Sequence, residues 1–203
     1  MGRTSNANER LMDAALALMW EESYGAVSID DICRRANVKK GSFYYFFASK
    51  SELAVEALER YWQQLKPLMD RIFSPSAAPL DRIRAKCEHT YQTQREVQQQ
   101  TGQVLGCRLC CLGSEICTQD PSIRGKVVEI LERERRYWES AIRDGQADGV
   151  IPPGDTSGRA RCALAYFSGL VAQARLTNDI DLLRELPQRV IEHVQGAARA
   201  SAA

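Results

Sequence analysis

The stretch from Val27 to Glu52 constrains the fold more than any other part of the chain, because it carries two separate helix-start signals. Ser28 and Asp31 have the spacing of a capping box, which predicts that a helix begins just after Ser28. Ser49 and Glu52 have the same spacing and predict a second helix start. Between these two signals there is room for one short helix, a tight turn and another short helix.

The turn and the second short helix favour a DNA-binding helix-turn-helix. Asn37 suits the left-handed conformation that ends a helix, and the next helix is predicted from about Lys39 to Phe46. In a helix-turn-helix, the second helix lies in the major groove of DNA. The segment from Ile32 to Ser51 contains no acidic residue and five basic ones: Arg34, Arg35, Lys39, Lys40 and Lys50. Each feature alone also fits a helical hairpin with a solvated basic face, but their combination favours DNA binding.

Specific DNA contacts are expected from this segment. Lys50 falls at the first position of its helix, where a positive charge opposes the helix dipole. A bound phosphate removes that conflict, because helix N-termini and lysines both attract phosphate. We expect Lys40 and Tyr44 to contact phosphates as well, and Lys39, Ser42 and Tyr45 to lie nearer base edges. The predicted DNA-binding set is Ser28, Lys39, Lys40, Ser42, Tyr44, Tyr45 and Lys50.

The segment from Glu9 to Leu53 resembles the N-terminal domain of TetR-family transcriptional repressors. The chain departs from the usual family pattern by having Asn37 in place of glycine and Lys39 in place of serine or threonine, and the second change bears on base preference. The resemblance implies an all-α fold of about nine helices. It also implies a three-helix helix-turn-helix DNA-binding domain at residues 1–50 and a helical ligand-binding and dimerisation domain at residues 51–203. The matching residues are Leu11–Trp20, Tyr24–Ser28, Asp31, Ile32, Ala36–Val38, Lys40–Phe47, Ser49 and Lys50.

Composition is that of a soluble globular protein, with 44% apolar and 26% charged residues. Net charge is only +1, so DNA binding has to come from local concentration of basic residues. The chain shows neither a signal peptide nor an apolar run long enough to span a membrane, and a cytoplasmic location is expected.

Helical periodicity continues through the C-terminal half, and no convincing strand is found. Pro67 should kink or end the long helix that starts near Lys50, and the run from Ser74 to Pro79 is the clearest linker. The segment from Val104 to Cys117 should be a short or broken helix, because Gly106 and Gly113 interrupt it. Further helices are predicted at about 80–99, 122–148, 155–178 and from about 186.

The helix predicted at 155–178 is apolar on two faces, so both faces have to be covered. One face should meet its own domain and the other a partner subunit, which predicts a homodimer. The resemblance to the TetR family likewise implies that the last two helices form a four-helix dimer bundle, and that an effector pocket lies among the middle helices.

Seven cysteines are the peculiarity of this sequence, and four of them fall within eleven residues. Three interpretations stay open for that group: small buried packing residues, a soft-metal site, or thiols that sense electrophiles or oxidants. For Cys33, Cys87 and Cys162 we predict packing in the core. The candidate sensing set is Cys107, Cys110, Cys111 and Cys117.

The stretch from Gly106 to Cys117 resembles TetR-family repressors that control reductases for electrophiles such as N-ethylmaleimide. In that subgroup a cysteine at the position of Cys107 is the sensor. A neighbouring cation, here Arg108, and a nearby helix start both raise the thiolate fraction of a cysteine. Cys110 and Cys111 could serve as resolving thiols after oxidation, or as packing residues.

Two classes of function therefore remain. The first is a DNA-binding repressor released by a small molecule or by thiol modification, with a soft-metal-responsive repressor as its variant. The second is a thiol-dependent oxidoreductase, which has little support because the chain has only two histidines, neither close to a cysteine pair, and no glycine-rich phosphate loop. The sequence predicts no catalytic residue, no resident metal and no cofactor.

Overall fold

The computed structural model describes residues 6–196, and this range is helical, without a strand. It contains nine α-helices and one short 3-10 helix, Ile180–Leu183, which was not predicted. The predicted all-α fold is confirmed. Within the described range, no helix has both the length and the apolar character needed to cross a membrane. The helices are α1 Ala7–Glu21, α2 Ile29–Ala36, α3 Lys40–Phe46, α4 Lys50–Ile72, α5 Pro79–Thr101, α6 Arg108–Ile116, α7 Pro121–Ala147, α8 Thr156–Thr177 and α9 Leu186–Gln195.

The chain forms two compact units, and each is built from two separate stretches. The first unit combines the described part of Met1–Leu65 with Arg108–Ile130, and the second combines Lys66–Cys107 with the described part of Leu131–Ala203. Helices α4 and α7 therefore contribute residues to both units. The division of function at residue 50 stays a prediction.

In the first unit, α1 packs against α2, α3 and α6. The side chains of Leu11, Ile32, Phe43 and Leu53 are fully buried there. Each such side chain contributes about 1.5–3 kcal/mol when removed from water. Burial of this apolar set fixes α3 on α1 and leaves the opposite side of α3 in solvent.

In the second unit, α9 packs against α5 and α8, and the 3-10 helix packs against the same two helices. The predicted linker between α4 and α5 is held down by Arg82, whose side chain is almost fully buried. Its guanidinium donates to the carbonyls of Ala77 (2.8 Å) and Pro75 (3.2 Å) and pairs with Asp144. A segment with linker composition is therefore an ordered part of this unit.

Two residues predicted to interrupt a helix, Pro67 and Gly113, do not end one. Pro67 lies inside α4, which continues to Ile72, so the early end does not occur. Proline removes one backbone donor, and burial of Met69 and Phe73 on the following turn supports continued helix. Gly113 lies inside α6, where a Cβ atom would come within 3.0 Å of Val127, so its small size serves close helix packing.

Candidate functional site

The helix-turn-helix begins and turns as its sequence predicts. The Ser28 hydroxyl accepts the Asp31 N–H (3.2 Å), and the Asp31 carboxylate accepts the Ser28 N–H (3.0 Å), so the capping box is confirmed. The Ser28 hydroxyl and the Ser28 N–H both donate to the Asp31 carboxylate, and these two bonds lower the pKa of Asp31. Asn37 ends α2 in the left-handed conformation (φ 50°, ψ 52°), also as predicted.

Helix α3 presents aromatic and basic side chains to solvent. Tyr44 is 55% exposed and Tyr45 is 78% exposed, whereas Phe43 on the opposite side is completely buried. Lys39 is exposed at the N-cap of α3 without a side-chain cap bond, and Lys40 pairs with Asp30 at 2.8 Å. Both members of that pair are about half exposed, so the pair contributes little to stability. The exposed side of α3 therefore combines aromatic rings with lysines, as a surface that contacts nucleic acid requires.

Lys50 has an internal role that its sequence position did not indicate. Its ammonium donates to the carbonyls of Tyr24 (2.8 Å) and Val27 (2.9 Å) and lies 4.2 Å from the centre of the Tyr24 ring. Partial burial lowers the pKa of Lys50. Two of the three ammonium N–H groups are thereby used within the first unit, and one is left for an outside acceptor.

Helix α6 contacts the turn between α1 and α2 through Glu115. Its two carboxylate oxygens accept the N–H groups of Tyr24 and Gly25, each at 2.8 Å. At the other end of α6, the Arg108 guanidinium lies 4.2 Å from the centre of the Trp20 ring. The turn between α1 and α2 is therefore held both by Glu115 of α6 and by Lys50 of α4.

The start of α7 adds a second connection within the first unit. The Asp120 carboxylate accepts the N–H groups of Ser122 and Ile123 at 3.0 Å and so caps α7. Its other oxygen is hydrogen-bonded to the Ser51 hydroxyl on the first turn of α4. The same carboxylate therefore joins α7 to α4. Burial raises the pKa of Asp120, but the bonds to Ser51, Ser122 and Ile123 outweigh it and lower the pKa overall.

The candidate sensing cysteines lie on α6 and at its two ends. Cys107 immediately precedes the helix, Cys110 and Cys111 lie on its first turn, and Cys117 follows its end. All four are half-buried. Burial raises the pKa of Cys117, which disfavours its thiolate.

The loop that leads to Cys107 is fixed within the second unit. The Gln94 side chain donates to the Gly106 carbonyl (3.1 Å) and accepts the Gly106 N–H (2.7 Å). Gly106 has φ 73°, a conformation that favours glycine, so the predicted helix break is confirmed here. Arg175 donates to the Leu105 carbonyl at 2.7 Å. These bonds set the position at which the chain enters Cys107.

Of the three cysteines predicted to pack in the core, two are buried as expected. Cys33 and Cys87 are buried, and burial raises the pKa of the Cys87 thiol to about 12. The prediction for Cys162 is wrong, because this residue is exposed on the face of α8 that its own chain leaves uncovered. In residues 6–196, no group of three or more His, Cys, Asp or Glu side chains is arranged to hold a metal ion.

Known families match both parts of the chain. Residues 11–57 match the bacterial regulatory proteins of the tetR family, and residues 79–190 match the tetracyclin repressor-like C-terminal domain. The chain belongs to the TetR family. It is therefore a DNA-binding transcriptional regulator, and the simple helical hairpin with a solvated basic face no longer describes residues 11–57.

Relatives of this TetR-family protein cover most of its length. The transcriptional regulator AcuR of Cereibacter sphaeroides is 29% identical over 174 residues, which is 85% of this chain and 78% of AcuR. The HTH-type transcriptional repressor NemR of Escherichia coli is 24% identical over 195 residues, 94% of this chain and 92% of NemR.

Solved structures of the family share the fold. The regulatory protein TetR from Rhodobacter sphaeroides has a TM-score of 0.81 and 28% identity, covering 93% of this chain and 99% of that one. The reduced form of Escherichia coli NemR has a TM-score of 0.79 and 21% identity, covering 93% of this chain and 97% of the NemR chain.

In this TetR-family protein, Lys50→Met should have two effects. It should lower the free energy of unfolding by about 1–3 kcal/mol, because two partly buried carbonyls lose a charged donor. It should also reduce the salt dependence of DNA binding by about one unit if the third N–H contacts phosphate. Lys40→Met is the matched control, with the same salt effect and nearly unchanged stability, because its pair with Asp30 is about half exposed. Urea unfolding and DNA titrations at several salt concentrations measure both quantities, and an unchanged salt slope in Lys50→Met would contradict the phosphate contact.

Proposed function

We propose that this TetR-family regulator is a repressor that leaves its operator when a small molecule binds or when Cys107 reacts with an electrophile or oxidant. The observation that carries the proposal is the pair of hydrogen bonds that the N–H groups of Tyr24 and Gly25 donate to the Glu115 carboxylate. They join the helix of the cysteine segment to the turn that leads into the helix-turn-helix. The similarity to a protein named as a repressor, NemR of Escherichia coli, supports the sign of regulation.

The proposed DNA contacts are those of the α3 surface and its flanks. Lys39, Ser42 and Tyr45 read base edges, while Lys40, Tyr44 and Lys50 hold phosphates. The exposure of both tyrosines supports their availability for DNA contact. Ser28 already caps α2 internally, and its contribution to DNA binding comes through the placement of that helix.

The proposed regulator acts as a homodimer formed through α8 and α9. Helix α8 buries one apolar stripe within its own chain and leaves a second stripe in solvent. Leu176 on this second stripe is 85% exposed, an unusual position for a large apolar side chain that nothing covers. Tyr166 stacks on His193 of α9, which makes the exposed surface continuous between the two helices. The exposed stripe consists of Cys162, Ala165, Tyr166, Gly169, Ala172, Gln173 and Leu176.

Cys107 is the proposed site of modification because of where it lies in the chain. It directly precedes α6, the helix whose Glu115 carboxylate accepts the N–H groups of Tyr24 and Gly25. Gln94 fixes the residue before it, and Arg108 after it is engaged with Trp20. An adduct on Cys107 therefore adds bulk between two residues that are each held by contacts. DNA is released if the DNA-binding arrangement tolerates that bulk less well than the alternative arrangement.

The experiment treats the protein with N-ethylmaleimide and measures binding to the DNA just upstream of its own gene. The Cys107 sulfur forms a bond to one alkene carbon of the maleimide, and the other carbon takes a proton from water. We expect release of DNA in the wild type and retention in Cys107→Ser. Fluorescence anisotropy of labelled DNA measures this directly.

Cys117→Ser is the matched control, because Cys117 is half-buried like Cys107 and flanks the other end of α6. After treatment, this control protein should release DNA as the wild type does. Cys87 should stay unmodified in mass spectra at neutral pH, since a thiol with a pKa of about 12 has almost no thiolate there. Release in both Cys107→Ser and wild type, or in neither, would remove Cys107 from the mechanism. Failure of the untreated protein to bind would overturn the regulator itself.

A further inference from the structure

Trp138 on α7 has a polar group that its own chain does not use. The side chain is completely buried, with its ring 5.5 Å from that of Phe167 and 6.0 Å from that of Phe73. Among the described residues, its indole Nε1 is the one buried side-chain polar atom that has no hydrogen-bond partner. Buried polar groups are almost always paired, and an unpaired one costs folding free energy. Phenylalanine would pack here without that cost, so the indole N–H requires another explanation.

A buried ion pair lies near the Trp138 side chain. Lys86 on α5 and Glu134 on α7 pair at 3.2 Å, with side chains only 10% and 11% exposed. Glu134 precedes Trp138 by four residues, so the two lie on the same face of α7. The Lys86 ammonium is 5.4 Å from the centre of the Phe167 ring, which also contacts Trp138. Lys86, Glu134, Trp138 and Phe167 therefore form one cluster in the second unit, called the Trp138 cluster below.

The charges of the Trp138 cluster decide which ligand it suits. The cation of Lys86 and the anion of Glu134 cancel, while the indole supplies one hydrogen-bond donor and Phe167 an apolar wall. An anionic ligand would leave a net negative charge in a buried site, and a cationic ligand would leave a net positive one. A neutral molecule with a carbonyl oxygen and an apolar body satisfies the donor and leaves the charges balanced.

We propose that the Trp138 cluster is a binding site for a neutral carbonyl compound, whose oxygen accepts the Trp138 Nε1 hydrogen and whose apolar part packs on Phe167. This rests on the proposed function, in that the ligand is the small-molecule effector of the repressor. Binding is reversible and forms no covalent bond, so it does not require Cys107. An electrophilic carbonyl compound can react with Cys107 and can also bind at the Trp138 cluster. A saturated ketone binds at the Trp138 cluster alone.

The test is calorimetric titration of the full-length protein with cyclohexanone. Cyclohexanecarboxylate and cyclohexylammonium serve as charged probes with the same ring. We expect the wild type to bind the ketone and neither charged probe, with a dissociation constant of about 1 mM for a molecule of this size. Trp138→Phe should weaken ketone binding by about tenfold, the effect of one lost hydrogen bond. Trp62→Phe, which removes another buried indole, should bind the ketone like the wild type.

Thermal unfolding without ligand separates a binding role from a structural one. Trp138→Phe should be as stable as the wild type or more stable, because it removes an unpaired buried donor. Equal ketone affinity in wild type and Trp138→Phe would overturn the site, as would tighter binding of the carboxylate than of the ketone. The titration contains no DNA, so its failure leaves the repressor assignment standing. Failure of the untreated protein to bind DNA overturns the proposed function and leaves the site standing.

Discussion

Gly169→Arg should convert the protein from a dimer to a monomer and weaken operator binding by about 100-fold or more. Gly169 lies on the exposed stripe of α8, and a Cβ atom there would meet no other atom of the chain within 4 Å. The substitution therefore leaves the fold of the single chain intact and improves helix propensity by about 1 kcal/mol. Across a packed pair of helices, the same arginine would hold the backbones apart and bury a charge. Loss of the second recognition helix then removes the gain from binding two half-sites together.

Gly125→Arg is the matched control for this change. Gly125 also lies in a helix, α7, and a Cβ atom there likewise meets nothing within 4 Å. It should remain dimeric and bind DNA, because it is not on the α8 stripe. Analytical ultracentrifugation gives the oligomeric state, and anisotropy of labelled operator DNA gives the affinity. A dimeric Gly169→Arg protein with normal DNA affinity would rule out α8 as the dimer surface.

Glu134→Ala should lower the free energy of unfolding by about 3–5 kcal/mol, because it leaves the buried Lys86 ammonium without a counter-charge. The double variant Lys86→Met, Glu134→Leu should recover most of this loss, since it replaces both charges with apolar groups of similar volume. Urea unfolding measures both values. Recovery in the double variant would assign the loss to the uncompensated charge rather than to a cavity.

A surface pair provides the comparison. Arg189 and Glu192 pair on α9 with both side chains largely exposed, so Glu192→Ala should leave stability unchanged. A loss in Glu134→Ala no larger than in Glu192→Ala would mean that water reaches Lys86. The ligand site proposed around Trp138 would then lose its argument from charge balance.

Features set by neighbouring residues were predictable from the sequence. The cap at Ser28 depends on Asp31 three residues later, and the end of α2 depends on the tolerance of Asn37 for positive φ. The exposed lysines and tyrosines of α3 follow from helical spacing in the same way. The all-helical fold and the recognition helix could therefore be derived without coordinates.

Contacts between distant residues could not be predicted. Glu115 and Tyr24 are 91 positions apart, and nothing near Glu115 marks its carboxylate as the acceptor for a backbone turn. The ion pair of Lys86 and Glu134 and the clamp of Gln94 on Gly106 are hidden for the same reason. Cys162 was placed wrongly because an apolar helix face does not reveal whether its own chain or a second one covers it.

The discontinuity of the first unit has a consequence for how the protein is made. Translation proceeds from the N-terminus, so α1, α2 and α3 leave the ribosome well before Glu115, which hydrogen-bonds to the turn between α1 and α2. At about 5–20 residues per second, the delay between Tyr24 and Glu115 is about 5–20 s. During that interval the nascent chain already contains the residues of α3, while the backbone N–H groups of Tyr24 and Gly25 lack the carboxylate that accepts them in the complete first unit. A newly made molecule therefore acquires its DNA-reading surface before it acquires the carboxylate that braces it.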